Sequence, residues 1–393
     1  MRYCRICGAD KFKLVLDMGK QPLVNSLIEK EDLDNKEEVF PLKVEQCQEC
    51  KLVQIVEPVK SHDIYAAQDY LYFSGDMPGL KDYFQEYADD IKNRFSELGD
   101  FIVEIGSNDG LMLDMFQPLN RVLGVDPATN VVVRALANRI STLSAGFSER
   151  LARNIRQEFE PAKVIFGNNC IAHIDNLHDV LRGVEALLTK NGVFIIECNY
   201  WGGMVKNRNY SLIYHDHYSY FTIKDWFHAS IRHGLKPFDA IVTPAQGGSL
   251  RIFLDRGQRD RTDRLTKLIL EEEETNLSSY ETCQRYNKEC NFEAKALGVE
   301  IQAIDMEGKV IAGYGAAAKG FSILSLAGIT DEIDFFIDDS PAKQGKYTPV
   351  NHIPVYARAN IPEEPDVYVI TAPNYADIIK EKEKDFRGEW IIP

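Results

Sequence analysis

Between residues 101 and 200 the chain alternates short apolar runs with helix-period stretches: FIVEIG, RVLGVD, RISTLSA, KVIFGN and GVFIIEC, separated by GLMLDMFQ, NVVVRALAN, SERLARNIRQEF and LHDVLRGVEALL. Short apolar runs set between amphipathic segments predict βαβ units, hence a doubly wound sheet that is parallel in its core. Ligands of such sheets lie past the carboxyl ends of the strands. The rhythm restarts over 308–393 with KVIAGYG, EIDFFID and DVYVITA, which predicts a second, smaller Rossmann-like unit. Between the two lie strands around PFDAIVT and GSLRIFLD, joined at Gly247-Gly248, and a charged helical stretch from Arg261 to Met306. Its acidic run, Glu271 to Glu274, reads as a solvated helix face.

A chain of 393 residues exceeds what one core serves at about 150 residues per domain. The expected division is a small N-terminal lobe at 1–65, a central α/β domain at 66–260, and a helical connection with the second Rossmann-like lobe at 261–393. Lys and Arg total 45 against 60 Asp and Glu, a net charge of −15, which argues against a nucleic-acid partner. A small anionic ligand is still allowed, because N–H groups at a helix start hold phosphate whatever the net charge. No apolar window long enough for a membrane span appears, and MRYCRICGAD lacks an apolar signal core. The expectation is a cytoplasmic monomer without a membrane partner.

Of eight cysteines, four form Cys4-x-x-Cys7 and Cys47-x-x-Cys50, and the rest are scattered at 170, 198, 283 and 290. A disulfide framework would not leave so much of the chain unstapled. Two thiolate pairs on tight turns suit one tetrahedral Zn²⁺; reduced free thiols or disulfides are the other readings. Four cysteine ligands leave no open position, so such a metal is structural.

Strand FIVEIG runs into Glu104-x-Gly106-x-x-x-Gly110 and a helix. This is not the G-x-G-x-x-G that brings a pyrophosphate to a helix start. Gly106 lets the backbone pass close beneath a ligand, and the nearby carboxylate can hold a cationic or hydroxyl-bearing group. Asp126, which ends the next strand, can accept from ribose hydroxyls. The set suits S-adenosylmethionine (SAM); another nucleotide or a ligand-free scaffold is open to it as well. The candidate cofactor residues are Glu104, Gly106, Asn108, Gly110, Asp126 and, at the end of the fourth strand, Asn168. The second glycine turn, Gly313-Tyr314-Gly315-Ala316-Ala317-Ala318-Lys319-Gly320, also opens a helix, with Asp338 one strand on. Gly315, Lys319 and Asp338 can hold a nucleoside diphosphate, although Gly-Ala turns also serve plain helix packing.

Tyr214-His215-Asp216-His217-Tyr218-Ser219-Tyr220-Phe221 gathers two imidazoles, a carboxylate and three phenols just after the fifth strand. A general base is favoured over a metal site or a satisfied polar network, because imidazole titrates near neutrality and a carboxylate can orient it. In an extended strand Tyr214, Asp216 and Tyr218 would share one side, and His215 and His217 the other. Asn168, Asn169 and His173 follow the fourth strand and can face an acceptor. Tyr70 and Tyr72 read either as half-buried packing or as site residues, and His62, His178, His228 and His233 show no partner pattern.

Taken together, the two Cys-x-x-Cys pairs, Tyr70-x-Tyr72-Phe73-Ser74, VEIGSNDG, Asn169-x-x-x-His173, IYHDHYSYF, GYGAAAKG and IDDSPAKQGKYTP resemble the SAM-dependent deoxysugar C-methyltransferases over essentially the whole chain. One type in that family methylates C3 of a 4-keto-6-deoxy sugar carried on a nucleoside diphosphate, as in tetronitrose biosynthesis. The resemblance implies a zinc-binding N-terminal lobe, a central SAM domain and a C-terminal Rossmann-like lobe that helps hold the nucleotide. It also implies that His217 is the general base with Asp216 and Tyr214 beside it, and that Tyr72, Asn169 and His173 match further active-site positions, with Tyr70 near the substrate. Two departures stand out: the family's Glu before the base is Asp216 here, and its P-G-T-H is Pro349-Val350-Asn351-His352. A ketone acidifies the neighbouring C–H, so a histidine can remove that proton if donors such as Tyr72, Tyr214 or His173 stabilise the enolate. A SAM-dependent O- or N-methyltransferase and a non-catalytic SAM or nucleotide-sugar binder are the alternatives.

Overall fold

The computed structural model describes residues 2–24, 26–59, 70–329 and 331–393. His62, and the expected boundary between residues 65 and 66, lie outside the described residues. The chain divides into two compact units: Met1–Lys13, Gln46–Gly203 and Tyr218–Ser279 form the first, and Leu14–Glu45, Met204–His217 and Tyr280–Pro393 the second.

The first unit opens on the cysteine turns and reaches strand β3 (Val53–Ile55); β1 (Phe12–Gln21) and β2 (Phe40–Cys47) are adjacent strands whose outer lengths belong to the second unit. Helix α1 (Leu80–Phe95) buries Phe84, Tyr87, Ala88, Ile91 and Phe95, a stripe at helical spacing that packs on the central sheet. The alternation then reads β4 (Phe101–Ile105), α2 (Leu111–Asp114), β5 (Arg121–Asp126), α3 (Thr129–Ala137), β6 (Thr142–Ser144), α4 (Glu149–Glu158), β7 (Ala162–Asn168), α5 (Leu177–Leu187) and β8 (Leu188–Asn199). After α6 (Trp201–Asn207) come the short β9 (Ser219–Tyr220), α7 (Ile223–Ser230), the hairpin β10 (Lys236–Thr243) and β11 (Ser249–Asp255), and α8 (Asp263–Glu274).

The sheet order is β10-β11-β8-β7-β4-β5-β6. Strands β4 to β8 run parallel, while β11 lies antiparallel to β8 and β10 antiparallel to β11. All five residues of β4 are buried, as expected of a strand covered on both faces. Successive strands proceed outward from β4 to β6 and then restart on its other side with β7. The crevice between the ends of β4 and β7 is therefore the switch point where such sheets take ligands.

One element departs from its sequence reading. The acidic run at the end of α8 is not wholly solvated: Glu272 is buried, and its carboxylate accepts from Tyr200 Oη (3.0 Å) and from the N–H of Ile223 (2.8 Å). It thereby satisfies the open N–H groups at the start of α7, which Thr222 and Asp225 also cap.

The second unit holds α9 (Tyr280–Met306), β12 (Ile311–Tyr314), α10 (Ala318–Ala327), β13 (Phe335–Ile337), β14 (Val355–Tyr356), β15 (Val367–Ile370), α11 (Ala376–Lys382) and β16 (Glu389–Ile391). Its sheet, ordered β14-β13-β12-β15-β16, is parallel throughout. Helices α9 and α10 approach so closely that a Cβ at Gly298 would stand 2.3 Å from the Ala327 carbonyl oxygen. Among the described residues no helix is long and apolar enough to cross a membrane.

Candidate active site and four-cysteine centre

The cysteine turns converge. Cys4 and Cys50 Sγ lie 3.4 Å apart, Cys7 and Cys47 Sγ 3.6 Å, and all four sulfurs within 4.8 Å of one another. These separations are far beyond a disulfide bond. They approach the roughly 3.8 Å edge of a tetrahedron built on Zn–S bonds of about 2.3 Å. The Cys50 thiol, against the opposing effect of burial, and the N–H groups of Cys7 and Ile6 hold the Cys4 thiol below the usual thiol range. The donor set fits a closed, structural zinc site.

At the sheet's switch point, Gly106 has φ +68°, and a Cβ there would strike Cys170 Cβ at 2.5 Å, so glycine is required by the loop leaving β7. A Cβ at Gly110, also at positive φ, would meet Ile140 at 2.8 Å. Asp126 closes the loop from below, accepting from the N–H of Asn108 (2.9 Å) and of Ala128 (2.9 Å). The Asn108 side chain reaches outward: its amide donates to the Tyr72 carbonyl (2.9 Å), and its oxygen accepts from Ser74 N–H (2.9 Å). Asp109 accepts from Gly75 N–H (2.9 Å), and Asn130 exchanges hydrogen bonds with the Tyr70 backbone. The Tyr70–Gly75 segment is thus strapped across the glycine loop by the loop's own Asn-Asp pair.

Beneath this strap several buried acceptors make no hydrogen bond to any described residue: Glu104 Oε2, Asp109 Oδ1, Asn168 Oδ1 and Asn169 Oδ1. Asn168 Nδ2 faces Glu104 Oε1 at 3.4 Å. Burial pushes the Glu104 carboxyl well above the usual carboxylate range, and the neighbouring Asp126 and Asp109 add to the effect. A group of buried acceptors short of donors suits a ligand bearing an ammonium and hydroxyls, as SAM does. His173 ends a short turn (Ile171–His173) in the same unit, where burial pushes its imidazole down to about 4.

Of the histidine block, Tyr214 to His217 end the Met204–His217 segment of the second unit, and Tyr218 to Phe221 open the Tyr218–Ser279 segment of the first. Its first half is a turn, with His217 N–H donating to the Tyr214 carbonyl (3.0 Å), and its second half carries the short strand β9. The period-two expectation therefore fails, and Tyr214 and His217 share a side with ring centroids 4.0 Å apart. His217 Nδ1 lies 2.6 Å from the Leu212 carbonyl oxygen. A carbonyl only accepts, so Nδ1 carries hydrogen and Nε2 presents the lone pair in neutral imidazole. Asp216 and His215 are both buried, the latter with its ring edge-on to Phe40. Tyr214 and His215 also line a cavity of about 20 Å³, together with Met18, Leu23, Val24, Leu42 and Phe321 and the polar Gln21 and Ser322.

In the second glycine turn Gly315 takes φ +101°, and a Cβ there would press on Ala372 at 2.8 Å. Lys319 sits in the first turn of α10, where burial pushes its amine down to about 7. Asp338 is engaged by Lys343 Nζ (3.1 Å), which also donates to the Ala316 carbonyl (2.9 Å). Lys343 was not among the sequence candidates; its only signal was a basic residue five positions after Asp338.

Comparison with known proteins decides the family. Residues 4–65 match the model of a zinc binding domain, 80–237 that of a methyltransferase domain, and 244–393 that of the C-methyltransferase C-terminal domain. The chain is 31% identical to C-methyltransferase NovU of Streptomyces niveus over 403 residues, covering 99% of this chain and 94% of the relative. The chain belongs to the C-methyltransferase family. Among solved structures, a SAM-dependent methyltransferase of Clostridium acetobutylicum is 11% identical, covers 47% of this chain and 94% of its own, and has a TM-score of 0.37. Magnesium protoporphyrin IX methyltransferase of Synechocystis, holding S-adenosylhomocysteine, is 11% identical over 45% of this chain and 83% of its own, with a TM-score of 0.36.

As a C-methyltransferase the chain uses SAM and carries a zinc-binding domain with its four-cysteine cluster. Transfer is to carbon, so the heteroatom and non-catalytic alternatives fall away. Two further polar clusters escaped the sequence reading of this C-methyltransferase. Glu197 of β8 is fully buried and pairs with Arg251 of β11 (2.9 Å), while Tyr83 Oη donates to the same carboxylate (2.6 Å). His178 and His233, expected to be without partners, share a hydrogen bond of 2.8 Å, and His178 Nε2 donates to the Ile6 carbonyl (2.8 Å).

Proposed function

We propose that this C-methyltransferase methylates the carbon next to the ketone, C3, of a keto-deoxysugar carried on a nucleoside diphosphate, with His217 as the general base. The observation that carries the reading is the His217 Nδ1 bond to the Leu212 carbonyl, which fixes the tautomer whose Nε2 can take a proton. When bound, SAM supplies an electrophilic methyl group. His217 removes the proton from the carbon next to the ketone, and Asp216 favours the imidazolium that results. Tyr214, Tyr72 and His173 donate hydrogen bonds to the oxygen that gains charge as the proton leaves. A neutral His173 suits that role, because burial holds it unprotonated near pH 7 and leaves one N–H to donate.

On the cofactor side, Glu104, Asn168 and Asp126 would hold the ammonium and ribose groups, while Gly106, Asn108 and Gly110 shape the loop. Asn169 and Tyr70 would line the sugar site. Gly315, Lys319 and Asp338 would receive the nucleotide at the start of α10, with Lys343 as a second cation.

Incubation with SAM and a panel of keto nucleotide sugars, read by mass, tests the reading. A 4-keto-6-deoxy sugar should gain one methyl, and His217→Asn should abolish the gain while SAM affinity stays within about two-fold. Bound SAM with no sugar methylated would refute the substrate class.

A further inference from the structure

We propose that Arg5, which lies between the zinc ligands Cys4 and Cys7, is a positioning residue that ties the four-cysteine centre to both chain segments bearing candidate catalytic histidines; this rests on the histidine-base reading above. Its guanidinium is almost wholly buried and is held from four directions. Nε donates to Asp175 Oδ1 (2.9 Å). Nη1 donates to Gln54 Oε1 (3.0 Å) and to the carbonyl oxygens of Ile55 (2.6 Å) and Tyr218 (3.1 Å). The Arg5 N–H adds a bond to Gln54 Oε1 (3.2 Å).

Two of these partners matter for chemistry. Asp175 is two residues past His173, and Tyr218 follows His217 directly in the chain. The two segments are joined in turn by Tyr218 N–H donating to the Ala172 carbonyl (2.8 Å). Tyr218 is further fixed by Ile55 N–H on its carbonyl (2.9 Å) and by its own hydroxyl on the Val59 carbonyl (2.7 Å). A buried guanidinium is costly to desolvate, and a cysteine turn needs none for its own closure. Here its bonds go to backbone carbonyls and a carboxylate on segments distant in sequence, which is how a rigid fork fixes geometry. The closed metal site sets the Arg5 backbone, and Arg5 sets the two segments.

The test uses the full-length zinc-loaded protein, with Arg5→Met and Arg5→Lys beside the parent. Zinc content, SAM Kd, kcat and KM are measured well below each melting temperature, with solvent deuterium exchange at the sugar carbon. Arg5→Met should keep its zinc and its SAM Kd within about two-fold, yet lose at least about ten-fold in kcat and in exchange with little change in KM, as expected when a base is displaced by about an ångström. Arg5→Lys should recover part of that loss. Unchanged kcat and exchange in Arg5→Met with zinc retained would overturn the proposal.

A second readout needs no catalysis and serves if Arg5→Met does not fold. Chelation of zinc from the parent should speed backbone amide exchange in peptides covering 170–175 and 214–220, while α8 stays protected. Unchanged exchange there would overturn the coupling. A parent that methylates no sugar but shows this response would instead refute the histidine-base reading and leave the coupling standing.

Discussion

Glu104→Gln should move stability and cofactor affinity in opposite directions. In the ligand-free protein Glu104 is a buried carboxyl with one oxygen lacking a partner among the described residues, facing an Asn168 side chain whose own oxygen is likewise unsatisfied. A glutamine amide can donate to Asn168 Oδ1 while still accepting from Asn168 Nδ2, which removes two unsatisfied atoms. Each such atom costs about 1–3 kcal/mol, so a net gain of about 1–3 kcal/mol is expected after repacking. For a unit of this size that is a rise in Tm of roughly 2–10 °C. SAM binding should weaken, because charge-assisted hydrogen bonds worth about 1.5–3 kcal/mol are lost, about 10- to 150-fold in Kd.

The pH dependence has a definite sign. Glu104 has a folded-state pKa raised above its unfolded value, so the parent is most stable below the unfolded pKa and loses stability as pH rises through the folded one. Glutamine does not titrate. The variant's advantage should grow as pH rises above about 4, the unfolded value, and shrink toward it. Thermal melts across pH, with calorimetric titration of SAM, read both effects. A variant less stable than the parent by more than about 1 kcal/mol, or one that binds SAM unchanged, would refute the reasoning.

Other outcomes follow from single contacts. Arg251→Met leaves Glu197 buried without its cation and should cost about 3–5 kcal/mol in urea denaturation; a loss below about 1 kcal/mol would show that the pair is dispensable. Val350 holds φ +71° where a β-branched residue is strained, so Val350→Gly should stabilise by about 1 kcal/mol, and a destabilised variant would contradict the backbone reading. Cys50→Ser breaks the four-thiolate set and should lower zinc content and cost more than about 4 kcal/mol, as a lost metal does; full zinc retention would count against the tetrahedral site.

Local patterns were legible because their physics is local. Apolar runs between helix-period stretches mark β4 to β8, and paired Cys-x-x-Cys turns announce a metal site before any contact is known. What stayed hidden was built by distant pairs. Glu272 looked solvated because its partner Tyr200 lies 72 residues earlier, and Glu197 and Arg251 meet only once β8 and β11 are aligned. His178 and His233 had no visible partner for the same reason, being 55 residues apart. In the histidine block an extended strand would have set Tyr214 and His217 on opposite sides, yet the His217 to Tyr214 bond folds this half into a turn and brings their rings together. The glycine loop's Asn108 is a further case, since a residue chosen for the cofactor spends its side chain on the Tyr72 and Ser74 backbone.

The central claim is that His217 makes a sugar carbon nucleophilic by removing its proton. Its most direct measurement is exchange of the C–H next to the ketone of a 4-keto-6-deoxy nucleotide sugar in deuterated water, with protein present and SAM absent. The account predicts deuterium at that carbon with the parent protein and none above background with His217→Asn. Equal exchange by both proteins, or none by a parent that still methylates the sugar when SAM is added, would contradict it.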